Sequence, residues 1–492
     1  MTGVTLPGEV PTCEAGANHA ERSGRLGLAA LGAYGVGTMV QDVVQYGLNT
    51  LLLFYLTIVC GLSGSAAGLA LGVALVVDAF VDPLVGSLSD NSGSRQGRRH
   101  PWMAASAIPI ALAFFMLFSI PAGTSGVALF AWSLVALLAV RVGLSGFTVP
   151  YIALGAELSD DYAERSVIVA SRVLFSVLAP VVGAFLAFGL FMKGAGGQTH
   201  RDAYPPFALG CGAVVLLAAA VSTVGTLRSR GRLHAAPPAR GAALGRLFAE
   251  VAEVFRNPSF RVLFLACLIL FVGLGAATSL TLHANTYFWR LSSAAILVIT
   301  YSYAGGILVG VFIAGFLGRF LEKRTLALAG ISLIGLSQLT PALLKVASVI
   351  PPASYLPVLM LSHGCLGLGS SFSLIGFQSM MADAADEHEH LFGARREGLY
   401  FAGISFSAKA SSGVGALLAG LVLDIIGFPH GLGPGAVAAH AIPPDAIRNL
   451  GLLYGPGASL ITAASVATLF GYRRGRGDHA RIRAALEQRR AR

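Results

Sequence analysis

The sequence AIPIALAFFMLFSI fills residues 107–120 and VVLLAAAVSTVGTL fills residues 214–227, and neither stretch contains a charged side chain. A transmembrane helix needs about 20 consecutive residues that are mostly apolar, and both stretches lie within longer runs of that kind. The strands of a membrane β-barrel instead alternate apolar and polar residues, which neither stretch does. These stretches therefore predict helices that cross a membrane.

The composition of the whole chain agrees with this interpretation. Of its 492 residues, 55% are hydrophobic and 12% are charged, whereas about 25% are charged in a soluble domain. Together with a mean hydropathy of +0.72, this composition excludes soluble catalytic, disordered and fibrous proteins. Apolar runs between polar loops predict twelve spans, at residues 29–58, 64–88, 102–121, 127–156, 167–192, 206–227, 260–288, 294–318, 325–345, 354–380, 398–426 and 448–471. We therefore predict an all-α polytopic membrane protein.

The twelve predicted spans fall into two groups of six. In chain order we expect a cytoplasmic N-terminal segment, a six-helix half, a cytoplasmic linker, a second six-helix half and a basic cytoplasmic tail, at residues 1–28, 29–227, 228–259, 260–472 and 473–492. Two such halves indicate an internal duplication with pseudo-symmetry. In transporters of that design the substrate site lies near the membrane midplane, between the halves.

Lysine and arginine residues are concentrated in the termini and in the loops that follow even-numbered spans. Loops that face the cytoplasm carry such an excess. We therefore expect both termini to be cytoplasmic, in a protein of the cytoplasmic (inner) membrane. The net charge of +10 then indicates contact with the lipid bilayer rather than with nucleic acid. Five scattered cysteines without ligand spacing predict core thiols rather than a disulfide or a metal centre. We expect no cofactor and no obligatory protein partner.

Ionisable residues inside spans are costly and mark functional sites by default. Asp78 and Asp82 in the second span are four residues apart, so both carboxylates project from one face of a helix. Two close carboxylates in a membrane either share a proton or coordinate a cation such as Na⁺. Lys409 in the eleventh span is a candidate counter-charge. The alternative is a static network of salt bridges that holds helices together.

A polar stripe runs along the first predicted span. Asp42, Gln45, Tyr46 and Asn49 recur at helical spacing and share one face. Because such a face is costly in lipid, it must line a cavity or contact other helices. Carboxylate, amide and phenol groups can bind the hydroxyl groups of a sugar, whereas the alternative is interhelical hydrogen bonding.

Charged residues also flank the predicted spans on the cytoplasmic side. The segment 382–390, ADAADEHEH, is expected to be a cytoplasmic loop. It lacks the His pair at i and i+4 of a helical zinc site, so charge pairing across a cytoplasmic gate is the favoured interpretation. The residues assigned to this gate are Asp90, Arg95, Arg98, Arg99, Glu157, Arg165, Asp383, Asp386, Arg395 and Arg396.

Several motifs together resemble the glycoside-pentoside-hexuronide:cation symporters of the major facilitator superfamily. The first is VDAFVDPLVG at residues 77–86, followed by Asp90 and by SRQGRRHPW at residues 94–102. The second is VPYIALGAEL at residues 149–158 with DYAER at residues 161–165. The third comprises MAD at residues 381–383, RREGL at residues 395–399, and then Ser405, Phe406 and Lys409.

This resemblance implies a twelve-helix fold that alternates access and couples sugar movement to Na⁺, Li⁺ or H⁺. By position, Asp78 and Asp82 match the cation-site acids of the family and Lys409 matches the associated lysine. Asp42 matches the sugar-binding acid of the first helix, and Arg172 is similar in place to an arginine of the fifth helix.

The departures from the family pattern concern the substrate and the ion. Thr148 and Ile152 stand where a second sugar-binding aspartate and a tryptophan are expected, which argues against galactoside specificity. Val81 replaces an asparagine beside the second cation-site acid, which favours H⁺ over Na⁺. Arg141 has no counterpart in the family, and would either favour an acidic substrate or pair with Asp42 or Asp78.

These observations predict a secondary active transporter, not an enzyme, that couples a sugar, glycoside or uronide to H⁺ or Na⁺. Beside the polar stripe of the first span, Arg141, Thr148 and Arg172 are the predicted substrate-binding residues. One alternative keeps the fold but moves a lysolipid-like amphiphile. Another, a membrane sensor without flux, is disfavoured by the acidic pair and by the lack of a soluble output domain.

Overall fold

The computed structural model describes residues 26–94, 97–159, 161–194, 197–227, 250–393, 396–432 and 442–490. Within these ranges, twelve helices are long and apolar enough to cross a membrane. They are α1 Leu28–Val59, α2 Gly64–Asp90, α3 His100–Phe118, α4 Gly126–Glu157, α5 Ala163–Phe191, α6 Arg201–Leu227, α7 Pro258–Phe288, α8 Ser293–Leu317, α9 Lys323–Val346, α10 Pro352–Phe392, α11 Glu397–Ile425 and α12 Pro444–Leu469. A further helix, α13, covers Arg476–Arg490 in the basic tail.

Local sequence explains several helix ends. At the start of α2, the Ser63 hydroxyl accepts a hydrogen bond from the N–H of Ala66 at 3.3 Å. Before α7, the Asn257 side chain accepts from the N–H of Ser259 at 2.8 Å, and Pro258 occupies the first helical position. Both arrangements satisfy N–H groups that would otherwise lack a partner in the first turn.

The end of α10 differs from the prediction. The sequence predicts a loop for the segment 382–390, after a span that ends at residue 380, but α10 continues through this segment to Phe392. The segment contains neither Gly nor Pro, so no residue in it interrupts the helix. The helix ends at Gly393, whose φ of 79° lies in the left-handed region that glycine adopts without steric cost.

An even number of spans places the start of α1 and the end of α12 on the same side of the molecule, here called the terminal side. On the other side, here called the opposite side, the two halves are in contact. The Asp424 carboxylate on α11 accepts hydrogen bonds from the N–H groups of Gly64 and Ser65 on α2, at 2.9 and 2.7 Å. Thr57 on α1 bonds to His283 on α7 at 3.0 Å. The structure is therefore a conformation closed on the opposite side.

Candidate functional site

A carboxylate pair on α2 is joined to a lysine on α11. The Lys409 ammonium donates to Asp78 Oδ2 at 2.9 Å and also to the Asp82 carboxylate. The Asp78 side chain is 7% exposed, whereas that of Lys409 is 45% exposed. The sequence-predicted coupling residues are thus brought together in one group, which connects the N-terminal half to the C-terminal half.

A second cation lies beside this group. Arg141 on α4 is buried; its guanidinium donates to Ser412 Oγ on α11 at 2.7 Å and to Gln45 Oε1 on α1 at 3.5 Å. One turn further along α4, the Ser145 hydroxyl donates to Asp78 Oδ1 at 3.1 Å. Arg141 is electrostatically attracted to the two carboxylates of Asp78 and Asp82. The face of α4 that carries Arg141 and Ser145 therefore connects α1, α2 and α11.

A cavity of about 370 Å³ lies between the two halves. The four residues of the predicted polar stripe on α1, Asp42, Gln45, Tyr46 and Asn49, all line it. The other polar residues of its wall are Thr50, Ser176, Thr278, Thr281, Asn285, Thr300, Tyr303, Gln338, His363 and Tyr454. The volume falls within the range of about 300–1,000 Å³ that is typical of small-molecule sites, and the two halves both contribute to the wall.

Some buried polar atoms of this cavity have no hydrogen-bond partner within the described protein. They are Asp42 Oδ2, the Tyr46 hydroxyl, Gln338 Oε1 and both side-chain polar atoms of Asn285. Buried polar groups are almost always satisfied, by protein, water or ligand. Their convergence on one cavity indicates a polar occupant with several hydrogen-bonding groups.

Three predicted substrate-binding residues do not line this cavity. Arg141 contacts its edge through Gln45, as described above. Arg172 on α5 interacts electrostatically with Asp42 and lies 5.8 Å from the centre of the Tyr151 ring. The Thr148 hydroxyl is buried without a partner in the described part of the chain. The structure therefore places Arg141 and Arg172 next to the α1 stripe rather than in the cavity wall, and Thr148 also lies outside that wall.

On the terminal side of the N-terminal half, charged residues contact one another. Glu157 at the end of α4 pairs with Arg98 at 2.9 Å and with Arg99 at 3.0 Å, and Arg99 also pairs with Asp90. Arg165 donates to the Ser159 carbonyl at 2.7 Å. Arg95 lies outside the described residues.

The C-terminal half has its own terminal-side network. Lys323 pairs with Asp383 at 2.7 Å, and Arg396 pairs with Glu250 at 2.9 Å. His479 on α13 bonds to Asp386 at 3.2 Å. Burial and nearby carboxylates raise the pKa of the Tyr472 phenol in this cluster, which keeps it neutral. Of the predicted gate residues, Asp383 therefore pairs within the C-terminal half, Arg396 with the predicted linker and Asp386 with the basic tail, and Arg395 lies outside the described residues.

Comparison with known proteins decides the family. Residues 33–474 match the family of MFS/sugar transport proteins. The chain belongs to this family. The resemblance to cation symporters of the major facilitator superfamily is confirmed, and the chain is an integral membrane transporter rather than an enzyme.

Curated relatives cover most of the chain. The isoprimeverose transporter of Lactiplantibacillus pentosus is 24% identical over 406 residues, which make up 82% of this chain and 80% of that protein. The uncharacterized symporter YnaJ of Bacillus subtilis is 24% identical over 431 residues, 85% of each chain.

Solved structures establish the fold. A bacterial homolog of the human lysosomal transporter Spinster, in an inward-facing and unoccupied conformation, is 13% identical with a TM-score of 0.60, over 91% of this chain and 97% of that one. A point mutant of the nucleoside transporter NupG is 14% identical with a TM-score of 0.59, over 89% of this chain and 99% of that one. The predicted major facilitator fold of twelve helices is thereby confirmed.

Proposed function

We propose that this protein is a proton-coupled sugar symporter of the cytoplasmic membrane, with its terminal side in the cytoplasm. The observation that carries the proposal is the group formed by Asp78, Asp82 and Lys409, which bridges the two halves beside a polar cavity. A change in protonation at such a bridge alters the free energy difference between conformations, which is the physical basis of coupling.

The cavity supports a sugar as the substrate. Its wall presents carboxylate, amide, hydroxyl and imidazole groups from both halves, and several of these buried groups lack a protein partner within the described ranges. A sugar has a hydroxyl on almost every carbon and satisfies such groups, whereas the acyl chain of a lysolipid cannot. The relative that transports isoprimeverose makes that glycoside the first candidate.

The surroundings of the acid pair support H⁺ over Na⁺. A proton binds to a single carboxylate oxygen, whereas a metal cation of this type needs a shell of several oxygen atoms. The Lys409 ammonium already contacts both carboxylates, and Arg141 adds a second fixed positive charge nearby. Val81 on the intervening turn supplies no oxygen. A proton can therefore bind to a carboxylate here while Lys409 and Arg141 stay in place.

Transport then follows from this charge balance. Protonation of one carboxylate weakens its attraction for Lys409 and so loosens a connection between α2 and α11. Sugar in the cavity satisfies the unpaired polar groups on both halves, which lowers the cost of closing the halves around it. The proton and the sugar together therefore permit the rocking motion that alternates access.

Purified protein in liposomes tests this function directly. Isoprimeverose, other neutral glycosides, uronides and a lysolipid would be added separately while internal pH is followed, with and without Na⁺. We expect a glycoside, either neutral or a uronide, to drive proton entry without any requirement for Na⁺. The proposal would be contradicted if a lysolipid changed the internal pH and no sugar did, or if proton entry strictly required Na⁺.

Asn285→Leu is expected to weaken substrate binding without destabilising the fold. Asn285 is 1% exposed, and its side-chain atoms have no partner among the described residues. Leucine therefore removes an amide that makes no hydrogen bond within the described protein. We expect the apparent KM to rise about tenfold, which corresponds to roughly one hydrogen bond. Uptake kinetics and thermal unfolding measure the two effects. Unchanged KM with a lowered Tm would assign Asn285 a structural role instead.

Arg141→Gln is expected to strengthen cation binding at the acid pair. Removing a unit positive charge near two carboxylates favours any cation that binds them, by on the order of tenfold for a proton. Half-maximal uptake should therefore move to higher external pH, and Na⁺ should begin to stimulate uptake. Arg141→Lys, which keeps the charge, is the matched control. An identical pH profile in Arg141→Gln and wild type would show that Arg141 does not act on the pair.

A further inference from the structure

A second cavity, of about 830 Å³, opens on the opposite side of the C-terminal half. It lies between the end of α7, the end of α9, the start of α10 and the start of α12. Its charged lining residues are Arg290, Lys345 and Arg448. The loops and helix ends of the opposite side contain five lysine and arginine residues in the sequence, the other two being Lys193 and Arg201. Three of these five therefore converge on one cavity.

The negative charges that could neutralise this cavity are missing from its wall. No Asp or Glu lines it in the described part of the chain. Arg290 and Arg448 are exposed and form no ion pair with any carboxylate within the described ranges. The residues 433–441, which precede α12 and lie outside those ranges, contain no Asp or Glu in the sequence either. The cavity therefore presents an excess of positive charge to solvent.

Among the other lining residues, Trp289 contributes a hydrogen-bond donor. It is 2% exposed, and its indole N–H has no partner among the described residues. An indole N–H can only donate, as can a guanidinium. A buried donor without an acceptor beside unpaired arginines indicates a ligand that supplies acceptor atoms and negative charge.

Lys345 contributes charge from a fixed position. Its ammonium lies 4.5 Å from the centre of the Phe288 ring, 4.8 Å from that of Trp289 and 4.2 Å from that of Tyr355. The ammonium also donates to the Phe288 carbonyl, so the three rings and this carbonyl together hold the cation in place. Next to this cage, Arg290 has a φ of 56°, a left-handed conformation that is costly for a residue with a side chain.

We propose that this cavity binds an oxyanion, held by the guanidinium groups of Arg290 and Arg448 and by the Trp289 indole N–H. The carboxylate of a uronic acid sugar is the source we favour, and this part of the proposal rests on the proposed sugar transport function. A positively charged cavity on the opposite side would concentrate acidic sugars there before the transporter opens toward them. The oxyanion chemistry itself does not depend on transport.

Tryptophan fluorescence of the purified protein tests the site, because the chain has only three tryptophans in its sequence. The variant W102F/W132F keeps Trp289 as the sole reporter. In a detergent without charge, we expect glucuronate to cause a saturable change in emission and glucose at equal ionic strength to cause none. Equal responses to glucuronate and glucose would overturn the proposal.

Substitutions at the cavity complete the test. In the single-tryptophan background, R290Q and R448Q should each weaken glucuronate binding at least tenfold, whereas K193Q, which removes one charge elsewhere on the same side, should leave it unchanged. Equal weakening by all three would reduce the effect to general surface charge and overturn the site. Unchanged thermal unfolding confirms that each variant is folded.

Two further arms identify the source of the oxyanion. If inorganic phosphate binds and glucuronate does not, and if phosphate binding depends on both arginines, the oxyanion site is supported but the uronide is overturned. A response that arises only when neutral nanodiscs are exchanged for phosphatidylglycerol nanodiscs assigns the site to a lipid headgroup and likewise overturns the uronide. Because emission reads binding alone, a normal response with no sugar transport would contradict the proposed function and not the cavity.

Discussion

Asp78→Asn is expected to lower the accumulation of substrate to a ratio of about one, since a carrier without coupling can only equilibrate its substrate. Asparagine has nearly the shape of aspartate, but its neutral amide neither takes up a proton at physiological pH nor forms an ion pair with Lys409. The Asp78 side chain is the more buried of the two carboxylates, at 7% against 27% exposed for Asp82. Its replacement therefore removes the better enclosed proton acceptor of the pair.

Uptake against a gradient and exchange at equilibrium separate coupling from binding. Exchange of labelled for unlabelled sugar should persist in Asp78→Asn, because the cavity residues are untouched. Asp445→Asn, an equal change at an exposed carboxylate at the start of α12, is the matched control and should accumulate substrate as the wild type does. Undiminished uphill uptake by Asp78→Asn would remove this residue from the coupling site.

The acid pair could be found in the sequence because ionisable residues within apolar spans are rare. The spacing of Asp78 and Asp82 placed them on one helix face, and the structure adds that Lys409 contacts both. The α1 stripe was recognisable for a similar reason, since its polar residues recur at helical spacing, and all four line the central cavity. Their functional roles remain predictions.

Other parts of the site had no such signal. Asn285, Gln338 and His363 are single neutral polar residues in three different spans, and such residues are common wherever helices contact one another. Ser145 and Ser412 belong to the site only through their bonds to Asp78 and Arg141, which depend on how α4 packs against α2 and α11. Contacts between distant spans are tertiary information that a single sequence does not contain.

The contact between α2 and α11 on the opposite side depends on glycine. A Cβ atom added at Gly420 would lie 2.0 Å from the carbonyl oxygen of Gly64, and one added at Gly64 would lie 2.3 Å from the carbonyl oxygen of Gly420. These distances are far below van der Waals contact with a backbone atom that has no freedom to rotate away. The helices approach this closely only because neither residue has a side chain. One turn beyond Gly420, Asp424 then reaches the N–H groups of Gly64 and Ser65.

Gly420→Leu is therefore expected to reduce transport by about a hundredfold or more, a penalty of roughly 3 kcal/mol or above on the closed conformation. The variant should remain folded and bind substrate, because the substitution keeps the opposite side open and does not disrupt the core. Spin labels at Leu69 on α2 and Ile425 on α11, both exposed, should report a longer distance than in the wild type.

Gly305→Leu on α8 is the matched control, because a Cβ atom there meets no atom within 4 Å in the described structure. It should transport normally and show the wild-type label distance. If Gly420→Leu lost transport without any change in label distance, the glycine contact would not be the step that closes the opposite side. If it transported normally, α2 and α11 would have to separate in the closed conformation, and the bonds from Gly64 and Ser65 to Asp424 could not be what holds the halves together.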